Sequence, residues 1–491
     1  MPARTVIVLW ACCAAAAAAA ADEKPEYAVK ANSLGQKSFV EKLKAQVPPL
    51  KHARGQRWPM IVWEGAGFEP QSPEVLRVLL ERGLVQHLQL DEKMIPAARA
   101  VQQAGGPVIL MQGGGGPWPA QLAGPPEKWQ HQFEQGYTFK QGPDWDHDHI
   151  QPCLTSFEGW EVEADKVRGI LRAYKTAGVT VNAVWMDWEG DPLGPQFEQA
   201  SHCVRCRKTL PPWVLANANN CRIYTSRLYM NLLDAYLAAP VAEVFPGCST
   251  TNWMAVCSTP ERPVVHWNDH AVPPCVPGLF TATNPVAYGN TVCWEFWKKD
   301  WPLDREHVDQ FYTHLLLRMV SADAANLRQY APEKKSVPWV SRWCPDVEDD
   351  KIPVISRERY REVLRHIWLR GAAGMQVFNP SRPGYEDVVL AEVEDAVAVY
   401  DEMLAYAQFL DEGELMCLAG PQRQDNGVLW SGLRLKDEAL VRVLKQGGGQ
   451  QQLTVEAWPG KQATLEAPAA GRTYLLKLAG DQVTATAQPE K

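Results

Sequence analysis

The chain has 491 residues, a formal net charge of -8 and a pI near 5.8. That acidic balance, with no basic tract, excludes nucleic acid as the expected partner. The length is enough to bury a large core and suggests more than one domain.

The N-terminus reads "MPARTVIVLWACCAAAAAAAADEK". A basic n-region at Arg4, a short apolar stretch and a run of alanines are the layout of a secretory signal peptide, here residues 1–21. The stretch is too short and too alanine-rich for a membrane anchor, and no later segment is apolar for long enough to span a bilayer. The expected mature protein is exported, secreted or periplasmic. Residues 22–55 form a polar lead-in.

From residue 56 to 411, short apolar runs alternate with amphipathic helices. "WPMIVWEG" (58–65), "LVQHLQL" (84–90), "GPVILMQ" (106–112) and residues 180–188 read as strands. They are followed in turn by helices 72–83, 92–104, 162–178 and "RIYTSRLYMNLLDAYLAA". "VAEVFPGCS" reads as the fifth strand, 277–283 as the sixth, "VPWVSRW" (337–343) as the seventh and "AAGMQVFNP" (372–380) as the eighth. Helices at 304–321, 356–370 and 387–409 follow the last three. The runs are continuously apolar, as parallel strands covered on both faces are. The pattern predicts an α/β fold, a (β/α)8 TIM-like barrel with insertions; a doubly wound sheet is the alternative. No Gly-rich nucleotide fingerprint opens a helix, since "GGGGPWP" contains Pro117, so no cofactor is expected.

Residues 412–491 change texture. "NGVLWSGLRL", "EALVRVLKQ", "QQLTVEAW", "KQATLEAP" and "RTYLLKLAG" are short alternating segments between turn residues. They predict a small antiparallel, sandwich-like β domain.

"VNAVWMDWEGDP" (181–192) is the most informative stretch. An apolar run ends in Asp187, Trp188 and Glu189 at the carboxyl end of the predicted fourth strand, the end where barrel active sites lie. Residues two apart on a strand point the same way, so both carboxylates aim at the cavity while Trp188 points into the layer behind the wall. Two acids close together in limited water raise one pKa, which gives a proton donor at neutral pH. The competing reading pairs one carboxylate with a barrel arginine such as Arg342. The 20 tryptophans of the chain favour a sugar ligand, because aromatic faces stack on apolar sugar faces. The expected partner is therefore a polysaccharide or oligosaccharide.

"VWMDWEGDP" resembles the active-site strand of the hyaluronidase family of glycoside hydrolases, and more loosely the Asp-x-Glu strand of chitinase-like barrels. "MIVWEG" resembles the first hyaluronidase strand, with Glu64 where Asn often follows the tryptophan, here Trp63. "LRGAAGMQVFNP" resembles the last strand without the tryptophan expected near Phe378, and "GDPLGP" stands where Trp-Arg-Pro commonly follows the acids. The resemblance implies Glu189 as general acid and then base. It implies Asp187 as the residue that holds a substrate N-acetyl group, whose carbonyl oxygen attacks. A mechanism without an acetamido group would need another carboxylate as nucleophile, Glu64 or Glu295 in "CWEFW". Trp63, Asn252, Trp253, Arg342 and Asn379 are expected at the mouth from their places at strand ends. Tyr288 is a candidate partner for the acetamido group without motif support. The rival reading from another class is a carbohydrate-binding protein on a degenerate barrel. An esterase or deacetylase finds no Gly-x-Ser-x-Gly elbow.

Cysteines other than Cys12 and Cys13 are expected in disulfides, the default in an oxidising compartment. The alternative in "SHCVRCRKTLPPWVLANANNC" is a zinc knuckle of His202, Cys203, Cys206 and Cys221. "DWDHDHIQPC" reads as a solvated polar loop, and no metal is expected to take part in function.

Overall fold

The computed structural model describes residues 39–62, 72–113, 119–140, 150–187, 196–252, 257–258, 263–265, 268–269, 278–288, 305–342, 354–378, 386–420 and 427–489. The chain divides into two compact units. The described residues of the smaller come from Pro117–Glu163 and Asp191–Tyr229; those of the larger come from Val29–Gly116, Ala164–Gly190 and Met230–Lys491. The predicted signal peptide and most of the lead-in lie outside the described residues. No described helix is long and apolar enough to cross a membrane.

The larger unit is built on short parallel strands. Met60–Val62 pairs with Leu84–Gln86, Leu88–Gln89 with Ile109–Gly113, that strand with Ala183–Asp187, and the last with Ser249–Asn252. The Thr281 N–H then donates to the Thr250 carbonyl (2.9 Å). Ala282–Thr283 pairs with Lys335–Ser336 and Val286–Tyr288 with Trp339–Ser341. Trp339–Ser341 pairs with Gln376–Val377, and that last strand pairs with Met60–Val62, the first. Residues of 60–62, 84–86, 286–288 and 339–341 are buried throughout, without alternation. Helices cover one side of such strands and side chains the other, which is why the sequence reads as continuous apolar runs.

The helix Pro73–Glu81 shows how the connections are set. Pro73 opens it after Ser72 in extended geometry, where a missing N–H costs nothing. Val75, Leu76, Val78 and Leu79 form its buried stripe. Gly83 ends the turn at φ +66°, and a Cβ there would meet Leu50 Cδ1 at 2.7 Å and Tyr400 Cε1 at 2.9 Å. Its carbonyl accepts from Met60 N–H (2.8 Å), so the turn joins directly to the first strand. The helix Arg305–Tyr330 is pinned by a buried acid: Asp323 accepts from Thr283 Oγ1 (2.8 Å) and Ser336 Oγ (2.6 Å). Burial raises that carboxyl to about 6.

One expectation needs correction. "VAEVFPGCS" is not the fifth strand: Ala239–Val244 is helical, and the strand is Ser249–Asn252. Pro240 lies in the first turn of that helix, directly after a π-helical turn over Asp234–Ala238 that accommodates its missing N–H. After it, Cys257–Ser258, Pro263–Val265 and Asn268–Asp269 pair antiparallel.

After Glu414–Leu415, the strands Val428–Leu435, Glu438–Lys445, Arg472–Ala479 and Gln482–Ala487 form an antiparallel sheet, and Gln450–Trp458 pairs with Lys461–Pro468 in a hairpin. Val441, Val443 and Leu476 of the sheet pack with Val455, Trp458 and Leu465 of the hairpin in one apolar cluster. The antiparallel pairing is consistent with the small β domain expected over residues 412–491, and the segment belongs to the larger compact unit.

His87, between Leu84–Gln86 and Leu88–Gln89, is 1% exposed. Burial pushes its imidazole down to about 3, so it stays neutral in the folded chain. The unfolded chain takes up a proton near pH 6.5 that the fold rejects. Stability is therefore complete above that pH and falls as pH drops toward 3, by up to about 4 kcal/mol. Urea midpoints measured from pH 7 to pH 4 should decline for the wild type and decline less for His87→Gln. Parallel declines would contradict the assignment.

Candidate functional site

The strand Ala183–Asp187 ends on its acid, and its last residues set the geometry. Trp185 stacks on Trp58, just before the first strand, with ring centroids 6.2 Å apart. Asp187, two residues on, shares that face and is partly exposed. Its partner on the neighbouring strand is Gly113. The carboxylate thus sits one layer above a buried tryptophan floor, toward the carboxyl end of the strands.

A second group of side chains forms an aromatic shelf at the same end of the strands. Tyr288 pairs with Ser341 across the ladder, and Trp339 shares the face of Ser341. The Tyr288 ring stacks on Phe378 at 4.7 Å and 20°, and Trp339 meets Phe378 edge-on at 6.2 Å. Trp339 and Ser341 are buried and Tyr288 nearly so, which leaves the partly exposed Phe378 ring as the aromatic face at these strand ends.

Arg342 turns the other way. Its Nε donates to the Ile355 carbonyl (3.0 Å) and its backbone N–H to Glu392. Glu392 is fully buried on the helix Glu386–Leu404, and burial raises its carboxyl to about 8 despite the Arg342 contacts. Burial also lowers the Arg342 guanidinium, whose acidic neighbours are Glu392 and Asp395 on that helix. Arg342 therefore ties its strand to the helical layer, contrary to the expected place at the mouth. Asn252 is likewise displaced: it pairs with Met186, so its side chain lies on the face opposite to Asp187, 1% exposed. Both reversals follow from the period of two along a strand, where one residue of offset exchanges the faces.

Trp63, Glu64, Glu189, Trp253, Glu295 and Asn379 lie outside the described residues. Of the expected site residues, the structure therefore describes Asp187 and Tyr288 on site-facing positions and Asn252 and Arg342 turned away.

The smaller unit gathers a different constellation. His131, Cys153, Cys203 and Cys206 are all buried, with one potential ligand atom of each within 4.8 Å of the others. Among the described residues this corrects the expected disulfides: Cys153, Cys203, Cys206, Cys221, Cys248 and Cys417 form none, while the side chains of Cys257, Cys275, Cys293 and Cys344 lie outside the described residues. It also changes the ligand set of the alternative, the zinc knuckle. His202 Nδ1 is 2.9 Å from Glu134 Oε1, and its ring stacks on Tyr137 at 3.9 Å. Cys221 lies in the same apolar core without joining the cluster, and burial pushes its thiol up to about 12. His131 and Cys153 carried no sequence signal, being 22 residues apart and 50 or more from the Cys-x-x-Cys pair.

No protein-family model and no curated protein sequence matches the chain. Solved structures similar to it include alpha-L-fucosidase isoenzyme 2 from Paenibacillus thiaminolyticus, at 11% identity and a TM-score of 0.42, over 71% of this chain and 50% of that one. An alpha-galactosidase from Geobacillus stearothermophilus matches at 10% and 0.42, over 93% and 56%. A maltogenic alpha-amylase from Thermotoga neapolitana matches at 10% and 0.39, over 95% and 97%. The chain thus spans about half the length of the first two.

Proposed function

We propose that the chain is a secreted glycoside hydrolase on a (β/α)8 barrel, with Asp187 and Glu189 as its working acids. The parallel pairings, which run strand by strand and return from the last to the first, support the barrel. The observation that carries the function is Asp187, held partly exposed above Trp185 at the carboxyl end of its strand. A carboxylate that ends a buried apolar run at this end of a parallel strand stands where the chemistry of barrel enzymes is done. The partly exposed Phe378 ring, stacked on Tyr288 at the strand ends, supports a carbohydrate ligand.

In the proposed reaction Glu189 gives its proton to the glycosidic oxygen as the bond to the anomeric carbon breaks. The substrate's own acetamido oxygen bonds to that carbon, and Asp187 takes the developing positive charge on the amide N–H. Water then opens the cyclic intermediate while Glu189 recovers its proton, restoring both acids. The substrate class is an N-acetylhexosamine-containing glycan. The resemblance of "VWMDWEGDP" to the hyaluronidase strand supports this choice.

Hydrolysis by the wild type over paired glycans and aryl glycosides, with and without N-acetyl groups, tests the reading. Turnover restricted to acetamido sugars is the expected result. Turnover of plain sugars would keep the hydrolase and transfer the nucleophile to Glu64 or Glu295. Retention of a glycan without cleavage would replace the enzyme by a binding protein.

A further inference from the structure

We infer that His131, Cys153, Cys203 and Cys206 form a structural zinc site in the smaller unit. Zinc bound to sulfur at about 2.3 Å and to imidazole at about 2.0–2.1 Å requires tetrahedral edges of about 3.8 Å between sulfurs and about 3.6 Å between sulfur and nitrogen. Cys153 Sγ lies 3.8 Å from Cys203 Sγ and 3.6 Å from Cys206 Sγ, and Cys206 Sγ lies 3.6 Å from His131 Nδ1. These separations exceed a disulfide bond of about 2.05 Å by far. These three separations match tetrahedral edges, and all four ligand atoms lie within 4.8 Å of one another, as ligands of one shared ion must.

The backbone builds this arrangement from three segments laid side by side. Residues 129–134 form the middle one. Gln130 bridges Pro152 on one side, with Cys153 N–H donating to the Trp129 carbonyl (2.7 Å) and His131 N–H to the Gln151 carbonyl (3.1 Å). Phe133 bridges Cys203 on the other, with Val204 N–H donating to the Gln132 carbonyl (2.8 Å). Cys203 then precedes the short helix Val204–Thr209, and Cys206 lies within its first turn, so the Cys-x-x-Cys pair turns both sulfurs to one side. Arg205 Nη1 donates to the Lys128 carbonyl (2.8 Å), which fastens the helix to the middle segment.

Four protein ligands and complete burial leave no open position for substrate, which is the pattern of a structural site rather than a catalytic one. The ligand set of soft thiolates with one imidazole favours zinc over magnesium or calcium. The unit has reason to need it. Among the described residues, one apolar cluster of the unit gathers buried Cys153, Leu154, Ala200, Cys203, Cys206, Leu210, Val214 and Cys221, with Phe197, Leu215, Tyr224 and Leu228 packed against it. Three of the buried members are the proposed sulfur ligands, so a metal there would tie the centre of that cluster together.

The test uses the full chain purified without chelator. Elemental analysis should give about one zinc per chain, released as a mercurial modifies Cys153, Cys203 and Cys206. His131→Ala, Cys153→Ser and Cys206→Ser should each lower zinc content about tenfold or more, while His202→Ala and Cys221→Ser retain it. Loss in the latter pair with retention in the former would overturn the ligand set. Should the ligand variants fail to fold, cobalt exchange into the wild type decides. Thiolate-to-cobalt charge transfer with intense tetrahedral visible bands is expected, and a weak octahedral spectrum would overturn the site. A folded chain that takes up neither metal after reduction would do so too, as would a disulfide mapped among the three cysteines.

Discussion

Glu189→Gln should lower kcat on the cleaved glycan by about 10³-fold, equivalent to about 4 kcal/mol of transition-state stabilisation, with KM little changed. Glutamine keeps the shape and much of the hydrogen bonding but has no proton to give. The loss should depend on the leaving group. A dinitrophenolate departs without protonation, so an aryl glycoside carrying it should recover most of the first-step rate in the variant. Asp187→Asn behaves differently under the proposed mechanism. It weakens the acetamido nucleophile, whose role is the same for every leaving group, so its defect should persist on the activated substrate. Kinetics of both variants on a good and a poor leaving group separate these roles. Equal rates for Glu189→Gln and wild type on the poor leaving group would remove Glu189 from the chemistry.

The pH profile offers an independent readout of the same assignment. A general acid must be protonated in the free enzyme, so its loss of the proton sets the basic limb of kcat/KM. That limb should vanish in Glu189→Gln, while Asp187→Asn should alter the acidic limb, where a carboxylate must be ionised. Fold alone cannot assign these roles, because barrels of one design host unrelated chemistries.

How far the sequence reveals the molecule depends on what each element faces. Five of the C-terminal strands were legible nearly to the residue: "KQATLEAP" is the strand Lys461–Pro468, its alternation set by one buried and one wet face, whereas the almost wholly exposed Gln482–Ala487 was not named. Ser249–Asn252 was not legible, because "STTN" carries no apolar run. Its threonines are buried instead by bonding to the next strand segment, Thr250 Oγ1 to the Leu279 carbonyl (3.0 Å) and Thr251 Oγ1 to the Ala282 carbonyl (2.9 Å). Asp187 stood out as a charge ending a buried run. The facing of Asn252 and Arg342 depended on register, which strand-end position does not determine. Half of the metal cluster was visible as Cys-x-x-Cys. His131 and Cys153 reach it through backbone bridges between distant segments, for which local pattern has no signal.

Glu362→Gln should destabilise the larger unit by about 3–5 kcal/mol, the cost of leaving one member of a buried ion pair without its partner. Glu362 lies on the helix Arg357–Trp368 and accepts from Arg442 of the C-terminal sheet twice, at 2.8 Å through Nε and 2.6 Å through Nη2. His366 Nε2 lies 3.3 Å away and Arg365 Nη1 3.2 Å away. Burial alone would raise the Glu362 carboxyl, but Arg442 and His366 outweigh it and hold it well below the usual carboxylate range. A depressed carboxylate contributes stability above its unfolded pKa, about 4.5, and loses it as pH falls toward the folded value. Below that pH the wild-type urea midpoint should therefore drop more steeply than that of Glu362→Gln, whose amide does not titrate. The double variant Glu362→Leu/Arg442→Met should recover much of the loss, since matched apolar side chains remove both charges together. A single variant within about 1 kcal/mol of wild type at pH 7 would mean that the charges are hydrated rather than buried. The C-terminal sheet would then be held to the helix by apolar contact and by the bonds of Arg370 Nε and His366 Nδ1 to Ser431 Oγ (each 2.8 Å).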